Sequence, residues 1–238
     1  MSGVSLEADQ LSKQYRAGTD DEVRAIDGVS LSIPAGVFAA LVGPSGSGKT
    51  TLLALLGALD RPTGGSVRFG DRRLDECSDV ELARLRRRMG FVFQSFSLIP
   101  RLPIWENITY PLIPRGRSTA QRRQVAGEAL ERLGLSAKLD SPPEELSGGE
   151  QQRAAVARAL VGDPDVLFAD EPTSNLDRLA AAGLVAVFRE IQQGGTTLVV
   201  STHDPDLIEL ASVVFELDQG RLVGGHSLDR PPSETVAG

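Results

Sequence analysis

Gly43-Pro44-Ser45-Gly46-Ser47-Gly48-Lys49-Thr50 sets three glycines, one lysine and a terminal hydroxyl at the spacing G-x-x-x-x-G-K-[ST]. Glycines at these places let successive backbone amides turn inward around a phosphate. The lysine reaches further phosphate oxygens, and the Thr50 hydroxyl can bind Mg2+. A plain strand-to-helix turn is the alternative. However, the loop follows the apolar run Phe38–Val42 and opens the helix-compatible stretch Lys49–Ala58, the setting phosphate binding requires. Lys49 is one of only three lysines, with Lys13 and Lys138, among 25 basic residues.

Asp170 and Glu171 follow the apolar run Val166–Ala169, so both carboxylates emerge at the end of a strand where an open α/β sheet collects ligands. Beside a phosphate loop, Asp170 is placed to hold Mg2+ through water and Glu171 to orient and polarise an attacking water. Leu146-Ser147-Gly148-Gly149-Glu150-Gln151-Gln152-Arg153 places a capping serine and two glycines before a helix, leaving the first amides bare as a second anion site. One nucleotide needs one phosphate cradle, so the second requires an explanation.

The elements that must position these groups follow an alternating plan. The N-terminal third reads as short strands, Val29–Ile33, Val37–Val42 and Val67–Phe69, split by Pro34-Ala35-Gly36 and Thr63-Gly64-Gly65. In the middle third, capping boxes at Ser78–Glu81 and Ser118–Gln121 start two helices. The first is expected to carry Leu82, Leu85 and Met89 to a stop at Gly90. The second carries Val125, Ala129, Leu130 and Leu133 to Gly134. The proline-punctuated stretch Ile99–Pro114 fits neither template and is expected to be an exposed connection, with Trp105 and Tyr110 as packing anchors. Helices at Gly148–Val161 and Leu179–Gln192 then alternate with strands Val166–Ala169 and Thr196–Ser201, which indicates a parallel α/β sheet.

Composition bounds the remaining possibilities. With 238 residues, 41% apolar and 24% charged, the chain can bury a full core and is neither disordered nor collagen-like. The lone Cys77 excludes a disulfide framework and a multi-cysteine metal site. A net charge of −7 argues against nucleic acid as a partner. No apolar run approaches the ~18 residues of a membrane span, and the first ten residues lack a signal-peptide pattern, so a cytoplasmic chain is expected. Arg84, Arg86, Arg87 and Arg88 read as a solvated helix face, with permease or lipid contact as the other reading.

LSGGEQQR, set between GPSGSGKT and an apolar strand ending in Asp170-Glu171-Pro172, resembles the ATP-binding subunits of ABC transporters over about residues 4–225. The resemblance implies a P-loop α/β fold: a mostly parallel core sheet, an N-terminal antiparallel β part and an inserted helical subdomain. One domain over 1–226 is implied, with a catalytic lobe at about 1–94 and 163–226, a helical lobe at about 95–162, and a flexible tail at 227–238.

It also implies roles for matching residues. Tyr15 would stack on adenine, and Gly43, Pro44, Ser45, Gly46, Ser47, Gly48, Lys49, Thr50 and Thr51 would bind the nucleotide. Thr50 and Gln94 would hold Mg2+, with Asp170 acting through water. Glu171 and His203 would be catalytic. Ser147, Gly148, Gly149 and Gln151 would act in trans, and Ser174 and Asp177 would form the D-loop.

Leu56–Thr63 and Gly90–Pro100 further resemble the branch that exports macrolides, releases lipoproteins or serves cell division, although Pro103-Ile104-Trp105 departs from its pattern. The implied function is an ATPase that homodimerises on ATP and drives a separately encoded integral membrane permease from the inner face of the cell membrane. Cargo export or lipoprotein release is the first reading. Force transmission through a membrane partner to an extracytoplasmic enzyme is the alternative, and a soluble ABC protein of ribosomes or DNA fits the acidic charge less well. Phe96, Leu98, Ile99 and Leu102 form the expected apolar docking patch for the permease.

Overall fold

The computed structural model describes residues 3–16, 18–19 and 21–227. Strand β1 (Leu6–Tyr15) pairs antiparallel with β2 (Val23–Ile33) on one side and β4 (Gly64–Phe69) on the other, with the short β5 (Arg72–Arg73) at the edge. The second sheet has the order β10-β9-β3-β8-β7-β6. Its strands are β3 (Phe38–Val42), β6 (Met89–Val92), β7 (Val166–Asp170), β8 (Thr197–Ser201), β9 (Val213–Asp218) and β10 (Arg221–Ser227). All neighbours in it are parallel except β9 and β10.

The core strands read as unbroken apolar runs because the sheet is covered on both faces. Alternate residues enter different cores: Ala39, Leu41, Val166, Phe168 and Val199 join the antiparallel sheet and helix α1 (Lys49–Leu56). Phe38, Ala40, Leu167, Ala169, Leu198 and Val200 pack with α6 (Arg178–Gln193) and α7 (Pro205–Leu210). A third cluster is separate. It joins Ile104 and Ile108 of α3 (Ile104–Thr109), Leu130 of α4 (Thr119–Arg132), and Ala154 and Ala157 of α5 (Gly148–Leu160).

Several local expectations need correction. Helix α2 (Asp79–Arg86) starts at its capping box but ends before Met89. Met89 and Gly90 lie in β6, where Gly90 is required by close approach: a Cβ there would fall 2.5 Å from the Ala159 carbonyl oxygen. Ile99–Pro114 is not simply an exposed connection. It contains α3 and the 3-10 turn Tyr110–Arg115, and Ile104, Trp105, Ile108 and Leu112 are buried. Trp105 is a packing anchor, with Arg122 and Arg123 over its ring, whereas Tyr110 is exposed.

The basic run divides rather than forming one solvated face. Arg88 pairs with Asp165 and lies over Phe69, while Arg86 donates to the Ala58 carbonyl. His226 pairs with Val214 in the β10 ladder, and Ser227 of the expected tail closes that strand. Residues 228–238 of that tail lie outside the described residues. No helix among the described residues is long and apolar enough to cross a membrane.

Candidate active site

Parallel β6, β7, β8 and β3 end on one edge of the sheet, so segments distant in sequence meet there. The loop after β3 turns through left-handed glycines at Gly46 and Gly48, and Gly48 begins α1 without any side-chain cap. The first amides of that helix are therefore free to face an anion. At Gly43, a Cβ would come within 2.0 Å of the Leu217 carbonyl oxygen, so only glycine lets the chain enter the loop. Ser45 to Thr51 line a cleft of about 560 Å3 with Gln94, Asp170, Glu171, Ser174 and His203. Five of the sequence motifs thus converge on one cavity.

The cleft's polar groups are held in a connected set. Lys49 is buried, and its Nζ donates to the carbonyls of Gly43 (2.7 Å) and Pro44 (3.1 Å) and lies 3.3 Å from His203 Nε2. The same His203 nitrogen is 3.2 Å from Glu171 Oε1. Thr50 Oγ1 donates to Asp170 Oδ2 at 2.8 Å, and Ser201 Oγ donates to the other Asp170 oxygen. Glu171 has a left-handed backbone, φ 44°, a conformation costing about 1–3 kcal/mol. Its amide is pinned by donation to the Ser201 carbonyl (3.0 Å) and hydroxyl (3.1 Å).

These residues suit a polyphosphate with Mg2+. Ser47 Oγ is buried inside the loop with no hydrogen-bond partner, and a Cβ at Gly46 would meet nothing within 4 Å, so the loop has an unsatisfied donor and open space. Thr50, Gln94 and Asp170 supply oxygen ligands, the set a hard cation takes.

Ser147, Gly148 and Gly149 do not line this cleft, and Ser147 and Gly148 are exposed. Ser147 caps α5 in a capping box with Glu150, which leaves the Gly148 and Gly149 amides at the helix start. Gln151 donates to the Leu146 carbonyl and so is engaged within its own segment. Asp177 caps α6 through the Ala180 amide, and Ser174 Oγ donates to the Glu171 carbonyl. Tyr15 stands at the cleft's edge, paired across the sheet with the cleft-lining Val23.

Three further contacts had no counterpart in the sequence reading. Ser201 orients Asp170 and Glu171 together. Asn175 donates to the Gln94 carbonyl, joining the loops after β7 and β6. Arg158 of α5 donates to the Phe96 and Ser97 carbonyls, at two consecutive left-handed residues. Each pair lies at least 30 residues apart, so no local spacing reveals it.

The ABC transporter family matches residues 26–174. The chain is 44% identical over 230 residues to the macrolide export ATP-binding/permease protein MacB of Nitrosomonas europaea, covering 96% of this chain and 35% of that protein. It therefore spans about a third of the length of that relative. It is 42% identical over 220 residues to the lipoprotein-releasing system ATP-binding protein LolD of Aquifex aeolicus, covering 92% of this chain and 96% of that one. The dimeric structure of a post-hydrolysis state of the ATP-binding cassette MJ0796 bound to ADP and Pi superposes with a TM-score of 0.88. Identity there is 36%, and the match covers 94% of this chain and 98% of that one.

Proposed function

The chain belongs to the ABC transporter family as an ABC ATPase cassette, and from that premise we propose that it homodimerises on ATP and drives a separate membrane permease of the exporter or lipoprotein-release type. The observation that carries this reading is the separation of its two anion sites: the phosphate loop, Asp170, Glu171 and His203 share one cleft, while Ser147–Gly149 stands outside it. A second copy, related by a two-fold axis, would bring its own Ser147–Gly149 to this cleft. The protein would work at the inner face of the cell membrane, with a catalytic lobe at about 1–94 and 163–226 and a helical lobe at about 95–162.

In each composite site, Lys49 and the Gly46–Thr50 amides bind the phosphates, and the γ-phosphate draws Lys49 away from the Gly43 and Pro44 carbonyls. Thr50 and Gln94 would hold Mg2+, with Asp170 acting through water, and the ion would supply charge neutralisation. Glu171 accepts the proton of the attacking water, its carboxylate fixed by the pinned backbone. His203 orients Glu171 and contacts the γ-phosphate. Ser147 and Gly148 of the second copy complete the enclosure, with Ser174 and Asp177 shaping the seam.

The permease docking site proposed here differs from the sequence expectation. Leu98 leans into the third core cluster, and Phe96 is half-buried, so that patch is partly spent. An apolar groove of about 420 Å3 instead lies between α2, β6 and the 3-10 turn, with Leu59, Phe91, Phe93, Pro111 and Pro114 among its lining. Arg86, Arg87, Arg115 and Arg158 also line it, and none of the four forms an ion pair among the described residues. Arg86, Arg115 and Arg158 are held by backbone carbonyls rather than by carboxylates, so their charges around an apolar floor, in a protein of net charge −7, fit a permease helix bearing carboxylates beside apolar residues. Leu59→Asp with Arg87→Glu should leave the basal ATPase rate unchanged and abolish its stimulation by the permease in reconstituted membranes. Full stimulation in that double variant would refute the groove as the docking site.

A further inference from the structure

Lys13 is buried in the wall of β1, and its ammonium is anchored by two short hydrogen bonds. Nζ donates to Asp60 Oδ1 and to the Arg61 carbonyl, both at 2.7 Å, and lies 5.0 Å from the centroid of the Tyr15 ring. The phenol of Tyr15 donates to the other Asp60 oxygen at 2.9 Å. A single carboxylate therefore ties down the hydroxyl of the ring and the cation that covers one of its faces. Tyr15 is 40% exposed despite these ties, and its cross-strand neighbour Val23 is 55% exposed at the rim of the cleft. An exposed ring held at both its hydroxyl and one face is suited to receive a flat ligand on the other face. Burial and then the hydrogen bond to Asp60 push the phenol above its ordinary pKa, in keeping with a hydroxyl that is held as a donor.

We propose that Asp60 and Lys13 are positioning residues for the nucleotide base: they fix Tyr15 before the ligand arrives, and Lys13 closes one ring face so that the base stacks on the other, beside Val23. This rests on the assignment of Tyr15 as the base platform. Preordering a side chain removes an ordering cost of about 0.5–1.5 kcal/mol from binding, a factor of roughly 2 to 12. Stacking on an aromatic ring contributes about 1–3 kcal/mol per base, a factor of roughly 5 to 150.

The test compares Mg·ADP with Mg·pyrophosphate by calorimetry on the full chain, because the two share a diphosphate and differ in the nucleoside. Tyr15→Phe keeps the ring and loses its anchor, and Lys13→Met keeps the apolar stem and opens the second face. Each should weaken ADP by about threefold to tenfold and leave pyrophosphate unchanged. Tyr15→Ala should weaken ADP more than either, again sparing pyrophosphate. If Tyr15→Ala weakens ADP while Tyr15→Phe and Lys13→Met bind it as the wild type does, the positioning role is overturned and the platform stands. If Tyr15→Ala binds ADP normally, the platform assignment itself is wrong. Unchanged pyrophosphate affinity also separates a positioning role from general damage to the fold, which would weaken both ligands.

Discussion

Glu171→Gln is expected to bind ATP as tightly as the wild type and to lose turnover by about 10²–10⁴-fold, the usual contribution of a positioned general base. The side chains are nearly isosteric, and the backbone that aims this residue is fixed by Ser201 rather than by the carboxylate. The left-handed turn at φ 44° therefore persists in the variant, and only the ability to take a proton from water is removed. The His203 contact at 3.2 Å can be kept by the amide oxygen, so the geometry around the γ-phosphate survives. A dimer closed by two ATP molecules should then accumulate because its exit by hydrolysis is blocked. Gel filtration with and without Mg·ATP should show a nucleotide-dependent dimer in the variant, with hydrolysis close to background. Hydrolysis at the wild-type rate would remove Glu171 from the mechanism.

Much of the site was legible because its motifs are contiguous. A phosphate loop needs its glycines, lysine and threonine within eight residues, since one turn of backbone makes the cradle, so the spacing itself carries the chemistry. Asp170 and Glu171 were legible for a related reason: a strand buried on both faces is apolar until it leaves the sheet, and its first charged residues mark the edge. The capping boxes of α2 and α4 were likewise readable, being complete within four residues.

The misses share another origin. Helix α3 is only six residues long, begins after Pro103 with no side-chain cap, and is followed by Pro111; it forms because Ile104 and Ile108 fill a core supplied by α4 and α5. Asn107 then organises the preceding loop through Ile99 and Leu102, contacts that no periodicity announces. Met89 shares helical spacing with Leu82 and Leu85, yet pairing with Val166 draws it into a strand. Similarly, β10 contains Gly224 and Gly225, which weaken any strand pattern, and it is fixed by pairing with β9. The groove rimmed by arginines and the Lys13–Asp60–Tyr15 set are products of tertiary assembly alone.

The central claim is that the two anion sites of one chain serve different nucleotides. Lys49→Ala removes the phosphate-loop cation, and Ser147→Arg fills the start of α5 with a bulky positive side chain. Ser147 is exposed and outside the cleft, so its replacement should leave the same chain's phosphate loop intact. Neither variant alone can enclose a nucleotide, because each homodimer has a defect in both of its composite sites. In a mixed dimer the defects fall in one site, and the other site is assembled from an intact phosphate loop and an intact Ser147–Gly149. The decisive measurement is nucleotide trapping in mixed dimers purified through two different tags, which reads enclosure without requiring both sites to turn over. One trapped nucleotide per mixed dimer, with none in either parent, is the result expected here. No trapping in mixed dimers shown to have formed would contradict the composite-site arrangement.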